Sequence, residues 1–139
     1  MYLSLQGNIG LGKAIEYFTS NQIPVSIPLN DTQPYDLIAD FDGKLQKIQV
    51  KTSRSTYTEG KSYVVGLRNC GGNRTGSVRA VSFDNTKCDY VFIYTGDNKY
   101  YLIPSKNISA TNSIVVGIKY TEYEVHSKTL NDFLEEMAD

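Results

Sequence analysis

Pro34-Tyr35-Asp36-Leu37-Ile38-Ala39-Asp40, then Phe41-Asp42-Gly43-Lys44, then Lys47-Ile48-Gln49-Val50-Lys51-Thr52, are the stretches on which the reading of this chain turns. Residues 35–40 and 45–52 are β-like runs on either side of an Asp-Gly pair, the strongest short-range signal for a β-hairpin. Alternate side chains of a strand share a face. Gln49 and Lys51 therefore point one way, Val50 points into the core, and the hairpin brings Asp36 beside the first two. An acid, a second oxygen donor and a lysine at one sheet edge are what metal-assisted phosphodiester hydrolysis requires. Asp36 and the Gln49 carbonyl supply hard oxygen ligands suited to Mg²⁺, and Lys51 can orient the attacking water or neutralise charge on a pentavalent phosphate. The same alternation equally describes the solvated face of an ordinary antiparallel strand, on which nothing binds.

On the N-terminal side of the hairpin, residues 8–20 read as a helix. Leu11, Ala14, Ile15 and Phe18 share one stripe, Lys13, Glu16 and Tyr17 fall off it, and Asn8 is a candidate N-cap. Gly10 and Gly12 each cost roughly 1 kcal/mol relative to Ala in a helix, which points either to a close approach of other atoms or to tolerated glycines at a fraying end. Residues 25–27, between Pro24 and Pro28, read as an edge strand. On the C-terminal side, residues 62–67 continue the sheet and residues 69–79, with Gly71, Gly72 and Gly76, form a flexible loop. Residues 89–94 and 100–103 form a second hairpin through Gly96-Asp97-Asn98, and residues 113–125 are β-like. Leu130, Phe133, Leu134 and Met137 recur at helical spacing in a closing helix, with Ser127 as its expected cap. The expected class is α/β, a mixed β-sheet core flanked by helices.

With 139 residues the chain has room for one domain, 1–139, and its 40% apolar and 21% charged residues are those of a folded chain. Two cysteines, Cys70 and Cys88, without CxxC spacing are too few for a disulfide scaffold or a structural zinc site, so reduced thiols and a cytoplasmic location are expected. Met1 to Gln6 has no basic region ahead of a long apolar run, and no stretch reaches the roughly 18 apolar residues of a membrane span, so neither a secretory leader nor a membrane partner is expected. Cys70 and His126 stand without sequence neighbours that would make a nucleophile or a metal site.

At Gly7-Asn8-Ile9-Gly10, Pro34-Tyr35-Asp36-Leu37 and Gln49-Val50-Lys51 the sequence resembles the PD-(D/E)xK nuclease superfamily, and within it the cyanobacterial-type group I intron homing endonucleases. Asp89-Tyr90-Val91-Phe92-Ile93-Tyr94 and Tyr100-Tyr101-Leu102-Ile103-Pro104 extend the likeness over residues 7–105. Glutamine in place of the usual second acid is distinctive of this branch. The resemblance implies a nuclease-like mixed sheet in which Asp36 is a metal ligand, Gln49 replaces the second acid, Lys51 is the catalytic lysine, and the Val50 carbonyl is a further ligand. It also implies Mg²⁺ as cofactor, double-stranded DNA as substrate, and a homotetramer of which two subunits cut. The family tends to carry a glutamate on the first helix where this chain has Leu11, and Glu16, rotated by roughly 140° about the helix, does not replace it.

The net charge of −1 conceals a basic middle. Residues 53–88 hold six bases (Arg54, Lys61, Arg68, Arg74, Arg79 and Lys87) against two acids, Glu59 and Asp84, while the flanking segments are acidic. Following the candidate lysine directly, this basic insertion is the expected DNA-contacting part, with Arg54, Lys61, Arg68, Arg74 and Arg79 as its contacts. The acidic, amphipathic C-terminal half is the candidate surface for self-association. Besides a site-specific endonuclease, two alternatives remain: a DNA-binding protein on the same fold, weakened or inactivated through Leu11, and a small β-rich interaction module in which Asp36, Gln49 and Lys51 are incidental.

Overall fold

A computed structural model of the chain describes residues 2–30, 32–57, 61–70 and 80–138. Helix α1 (Tyr2–Ser20) is followed by strands β1 (Val25–Ser26), β2 (Leu37–Phe41) and β3 (Lys44–Ser53). Next come β4 (Thr56–Tyr57), β5 (Ser62–Gly66), β6 (Asn69–Cys70), β7 (Ala80–Val81), β8 (Tyr90–Thr95), β9 (Tyr100–Pro104), β10 (Ser113–Val116) and β11 (Glu124–Val125), with α2 (Leu130–Ala138) last. A six-stranded sheet runs β1-β2-β3-β8-β9-β11, a three-stranded sheet runs β10-β5-β4, and β6 and β7 form a ribbon. In the large sheet β3 and β8 are parallel and the other neighbours antiparallel, which makes it the expected mixed α/β sheet.

The Asp42-Gly43 turn forms as read. Asp42 (φ 56°) and Gly43 (φ 95°) both occupy the left-handed region that a two-residue hairpin turn needs, and Asp40 Oδ1 accepts the Gly43 N–H at 2.6 Å. The β8–β9 hairpin also forms, and β1 lies at the sheet edge as expected beside proline. Residues 62–67 do not extend the same sheet. Strand β5 instead lays Tyr63 and Val65 across one face of the large sheet, against Val91 and Ile93, and pairs with β4 and β10. Ser53 Oγ donates to the Val64 carbonyl at that departure. The single β-like run expected over 113–125 breaks into β10 and β11. Gly117 (φ 109°) sits where a Cβ would come within 2.7 Å of the Lys61 carbonyl, and Tyr120 is also left-handed.

Each face of the large sheet is covered by a different element. On one, Ala14, Tyr17 and Phe18 of α1 pack against Leu37, Ala39, Ile48, Phe92 and Tyr100. Tyr17, expected off the apolar stripe, is buried here. On the other face Tyr63, Val65, Leu67, Phe83 and Val116 pack against Val91, Ile93, Tyr101 and Ile103. Part of the 53–88 segment is therefore core as well as surface. Among the described residues no helix is long and apolar enough to cross a membrane.

Both helices differ from expectation at their starts. Helix α1 begins at Tyr2, six residues before the expected cap, so Asn8 lies inside it. Gln6 Nε2 donates to Thr52 Oγ1 at 3.0 Å, a tertiary tie that holds the first turns against β3 despite Gly7. At its other end Ile23 N–H bonds the Phe18 carbonyl (2.8 Å) and Gln22 N–H that of Thr19 (3.0 Å), with Gln22 left-handed, a Schellman ending without glycine. Helix α2 is capped by Thr129 and not by Ser127: Asp132 N–H donates to Thr129 Oγ1 (3.2 Å) and Thr129 N–H to Asp132 Oδ2 (2.8 Å), a reciprocal capping box.

The two glycines of α1 separate cleanly. A Cβ on Gly10 would lie 2.1 Å from Thr52 Cγ2, whereas Gly12 has nothing within 4 Å. Gly10→Ala should destabilise the fold by roughly 1–3 kcal/mol through overpacking, with much of the loss recovered when Thr52→Ser removes the opposing methyl. Gly12→Ala should stabilise it by about 0.5–1 kcal/mol. Urea denaturation of the three variants checks both signs.

Candidate functional site

The regular β2–β3 register ends with Leu37 opposite Ile48. Asp36, one residue earlier, donates its N–H to the Ile48 carbonyl at 2.8 Å and reaches β3 with its side chain. Oδ2 accepts the Gln49 Nε2–H at 2.9 Å and the Val50 N–H at 2.7 Å. Lys51 follows on the same strand, and its Nζ donates to Asn69 Oδ1 at 2.7 Å and to the Arg68 carbonyl at 3.3 Å. The hairpin thus brings Asp36, Gln49 and Lys51 together as the alternation of β3 implied.

Gln49 is only 7% exposed, so it is not part of a solvated strand face. Its Nε2 serves Asp36, while its Oε1 is buried with no hydrogen-bond partner among the described residues. A buried carboxamide oxygen without a donor is costly unless something else meets it. Val50 is half-buried and packs on the α1 side of the sheet, where Gly10 lets the helix approach. Burial pushes the Asp36 carboxyl above its ordinary value, against the opposing pull of the Val50 N–H and the Lys51 ammonium.

Leu11 lines a cleft of about 420 Å³ together with Ile27, Pro28, Leu29, Asn30, Tyr35 and Asp36. It stands in the middle of α1 and not in its first turn, half-buried at the edge of the α1 cluster. Glu16 is turned elsewhere and accepts the Tyr100 hydroxyl at 3.3 Å. Among the described residues no three of His, Cys, Asp and Glu gather into a metal-holding group. The oxygens on the paired side chains are the Asp36 carboxylate and the orphaned Gln49 Oε1. These are hard ligands, and they fit Mg²⁺, which commonly takes one or two carboxylates and completes its shell with water and substrate phosphate.

Arg54 and Lys61 are exposed, Arg54 at the rim of a second, smaller cleft formed by Leu5, Gln6, Ile9, Thr52 and Tyr94. Arg68 is exposed beside Lys51, and Arg74 and Arg79 lie outside the described residues. Cys88 is buried against Ser105 Oγ (3.1 Å), and burial raises its thiol, which removes it as a nucleophile. The contact that the sequence did not indicate is Asn69. It falls in the stretch read as a flexible loop, and only the β6–β7 pairing reveals its place beside Lys51.

A carboxyl whose folded-state pKa is raised contributes stability that is fully present below its unfolded value and lost as pH rises through the folded one. Metal-free wild-type protein should therefore lose stability relative to Asp36→Asn as the pH climbs from below the ordinary 3.8 toward neutrality, where the variant should be the more stable of the two. Urea midpoints of both proteins across that range test this; a difference independent of pH would show that Asp36 ionises as an exposed carboxyl does.

The family model for PD-(D/E)XK endonucleases matches residues 1–134 of the chain. Among solved structures, the bacterial homing endonuclease I-Ssp6803I is similar, with a TM-score of 0.67 and 30% sequence identity over 81% of this chain and 76% of that one. No curated protein matches. The mixed sheet with α1 on one face is thus a fold shared with a homing endonuclease, and the chain belongs to the PD-(D/E)XK endonuclease family.

Proposed function

We propose that the chain is a site-specific, metal-dependent endonuclease of double-stranded DNA, cutting by direct water attack without a covalent intermediate. The observation that carries this reading is that Asp36, within reach of the Lys51 ammonium's field, bonds a buried Gln49 whose Oε1 has no partner among the described residues. Asp36, Gln49 Oε1 and the Val50 carbonyl would hold Mg²⁺, which when bound supplies Lewis acidity toward the scissile phosphate. Asp36 is kept in place by the Val50 N–H and the Gln49 amide, so its carboxylate needs no reorganisation to serve as ligand. The Lys51 ammonium stabilises charge developing on the pentavalent phosphate and orients the attacking water. Arg54, Lys61, Arg68, Arg74 and Arg79, in the basic 53–88 insertion of this single domain, contact phosphates or guanine edges. A domain of this size covers only part of a long recognition site. A homotetramer with two cutting subunits follows from the resemblance to homing endonucleases, and the exposed Leu130, Leu134 and Met137 of α2 agree with self-association.

A second reading rests on Leu11. An apolar residue lines the cleft beside Asp36 where the family tends to carry a glutamate, and a single carboxylate remains, so a weakened or inactive nuclease that still binds DNA is the alternative.

Supercoiled plasmid libraries incubated with the protein and Mg²⁺ or Mn²⁺, with Ca²⁺ as a binding-only control, separate these readings. Cutting at a defined site supports the nuclease; salt-dependent binding without cutting supports the second reading; and no salt-dependent binding leaves an interaction module. Lys51→Ala should lower the cleavage rate at least 100-fold, as removal of a transition-state interaction does, with nearly unchanged affinity in Ca²⁺. Joint replacement of Arg68, Arg74 and Arg79 by Ala should weaken binding and flatten its salt slope by roughly 0.9 for each phosphate that is no longer neutralised.

Leu11→Glu should raise Mg²⁺-dependent cleavage by adding a carboxylate to the cleft. Because α1 starts at Tyr2, no capping gain accompanies it, and the cost is part of the roughly 1.5–3 kcal/mol of a fully buried leucine. Cleavage rate and thermal midpoint measured side by side decide this: a lower midpoint with no gain in rate would make Leu11 a packing residue only.

A further inference from the structure

Among the described residues, Lys51 Nζ donates to two neutral acceptors from one short segment: Asn69 Oδ1 at 2.7 Å and the Arg68 main-chain carbonyl at 3.3 Å. Asn69 opens β6, which is braced by β7 through the Asn69–Val81 and Cys70–Ala80 pairs. An ammonium on a four-carbon stem has three donors and no preferred direction of its own, so fixed acceptors must set its position. Neutral oxygens direct the group without adding a countercharge of their own. A carboxylate in the same place would form an ion pair and weaken its pull on a phosphate. The ammonium donates only, so the side-chain atom of Asn69 facing Lys51 is the amide oxygen.

We propose that Asn69 is a positioning residue for the cleavage reaction, its amide oxygen holding the Lys51 ammonium over the Asp36–Gln49 pair. This rests on the reading of Lys51 as the lysine that acts on the scissile phosphate. In this role Asn69 acts through Lys51, from a strand 18 residues further along the chain.

The test uses the full-length protein and the duplex that the wild-type protein cuts. Single-turnover cleavage in Mg²⁺, duplex affinity in Ca²⁺ and thermal midpoint are measured for the wild type, Asn69→Ala and Asn69→Asp, with the ¹⁵Nζ signal of Lys51 recorded in the metal-free protein. Asn69→Ala should lose about 10- to 100-fold in rate, the scale of an ångström-sized misplacement, with affinity changed less than about twofold. Asn69→Asp, which keeps an acceptor at the same atom, should recover most of the rate although its added charge leaves it below wild type. The slowly exchanging Lys51 signal should fade in Asn69→Ala and persist in Asn69→Asp. A wild-type rate for Asn69→Ala, a parallel loss of affinity and rate, or no recovery in Asn69→Asp would each overturn the positioning role. A wild-type protein that does not cut would overturn the nuclease reading itself, and the role with it, so the two failures are told apart.

Discussion

The two consecutive left-handed residues at Asp42 and Gly43 fix which residue of β2 lies opposite which residue of β3, and everything at the site inherits that register. A slip of one position would exchange the faces of β2 relative to β3. Leu37 and Ile48 would leave the core under α1, and Asp36 would lose the Val50 N–H and the Gln49 amide. The apolar side of the hairpin therefore protects its polar side: the free energy of burying Leu37, Ala39 and Ile48 holds Asp36 where burial is unfavourable to its charge.

Strand β3 is enclosed along most of its length. Strand β2 pairs with residues 44–48 and β8 with residues 48–53, α1 covers one face, and β5 with the Arg68–Asn69 segment crowds the other. This removes water from Gln49 and part of Lys51, and a lower local dielectric strengthens each remaining electrostatic contact. The raised Asp36 carboxyl and the orphaned Gln49 oxygen are two consequences of one enclosure. Both are unfavourable to the metal-free fold, and both would be relieved by a cation, which is the usual trade between stability and function at a site.

Helix α1 contributes through its distance from the sheet. Gly10 permits the backbone to approach Thr52 more closely than any side chain would allow, and that approach brings the next residue, Leu11, to the cleft that Asp36 lines. Position 11 is consequently placed so that its side chain lines the same cleft as the Asp36 carboxylate.

Much of this was legible in the sequence. The Asp-Gly turn, the alternation through Gln49, Val50 and Lys51, the helical stripe through Ala14 and Phe18, and the β8–β9 hairpin depend on local backbone geometry and on a period of two or 3.6, which a sequence displays directly. The start of α1, the burial of Tyr17 and Gln49, the departure of β5 from the large sheet and the splitting of residues 113–125 were decided only in three dimensions. Each depends on what occupies neighbouring space: Thr52 within reach of Gln6, Val91 and Ile93 offering β5 an apolar face to cover, and Lys61 lying against Gly117. Asn69 is the clearest instance, since its contact with Lys51 joins residues on different strands, and only long-range packing brings those strands together.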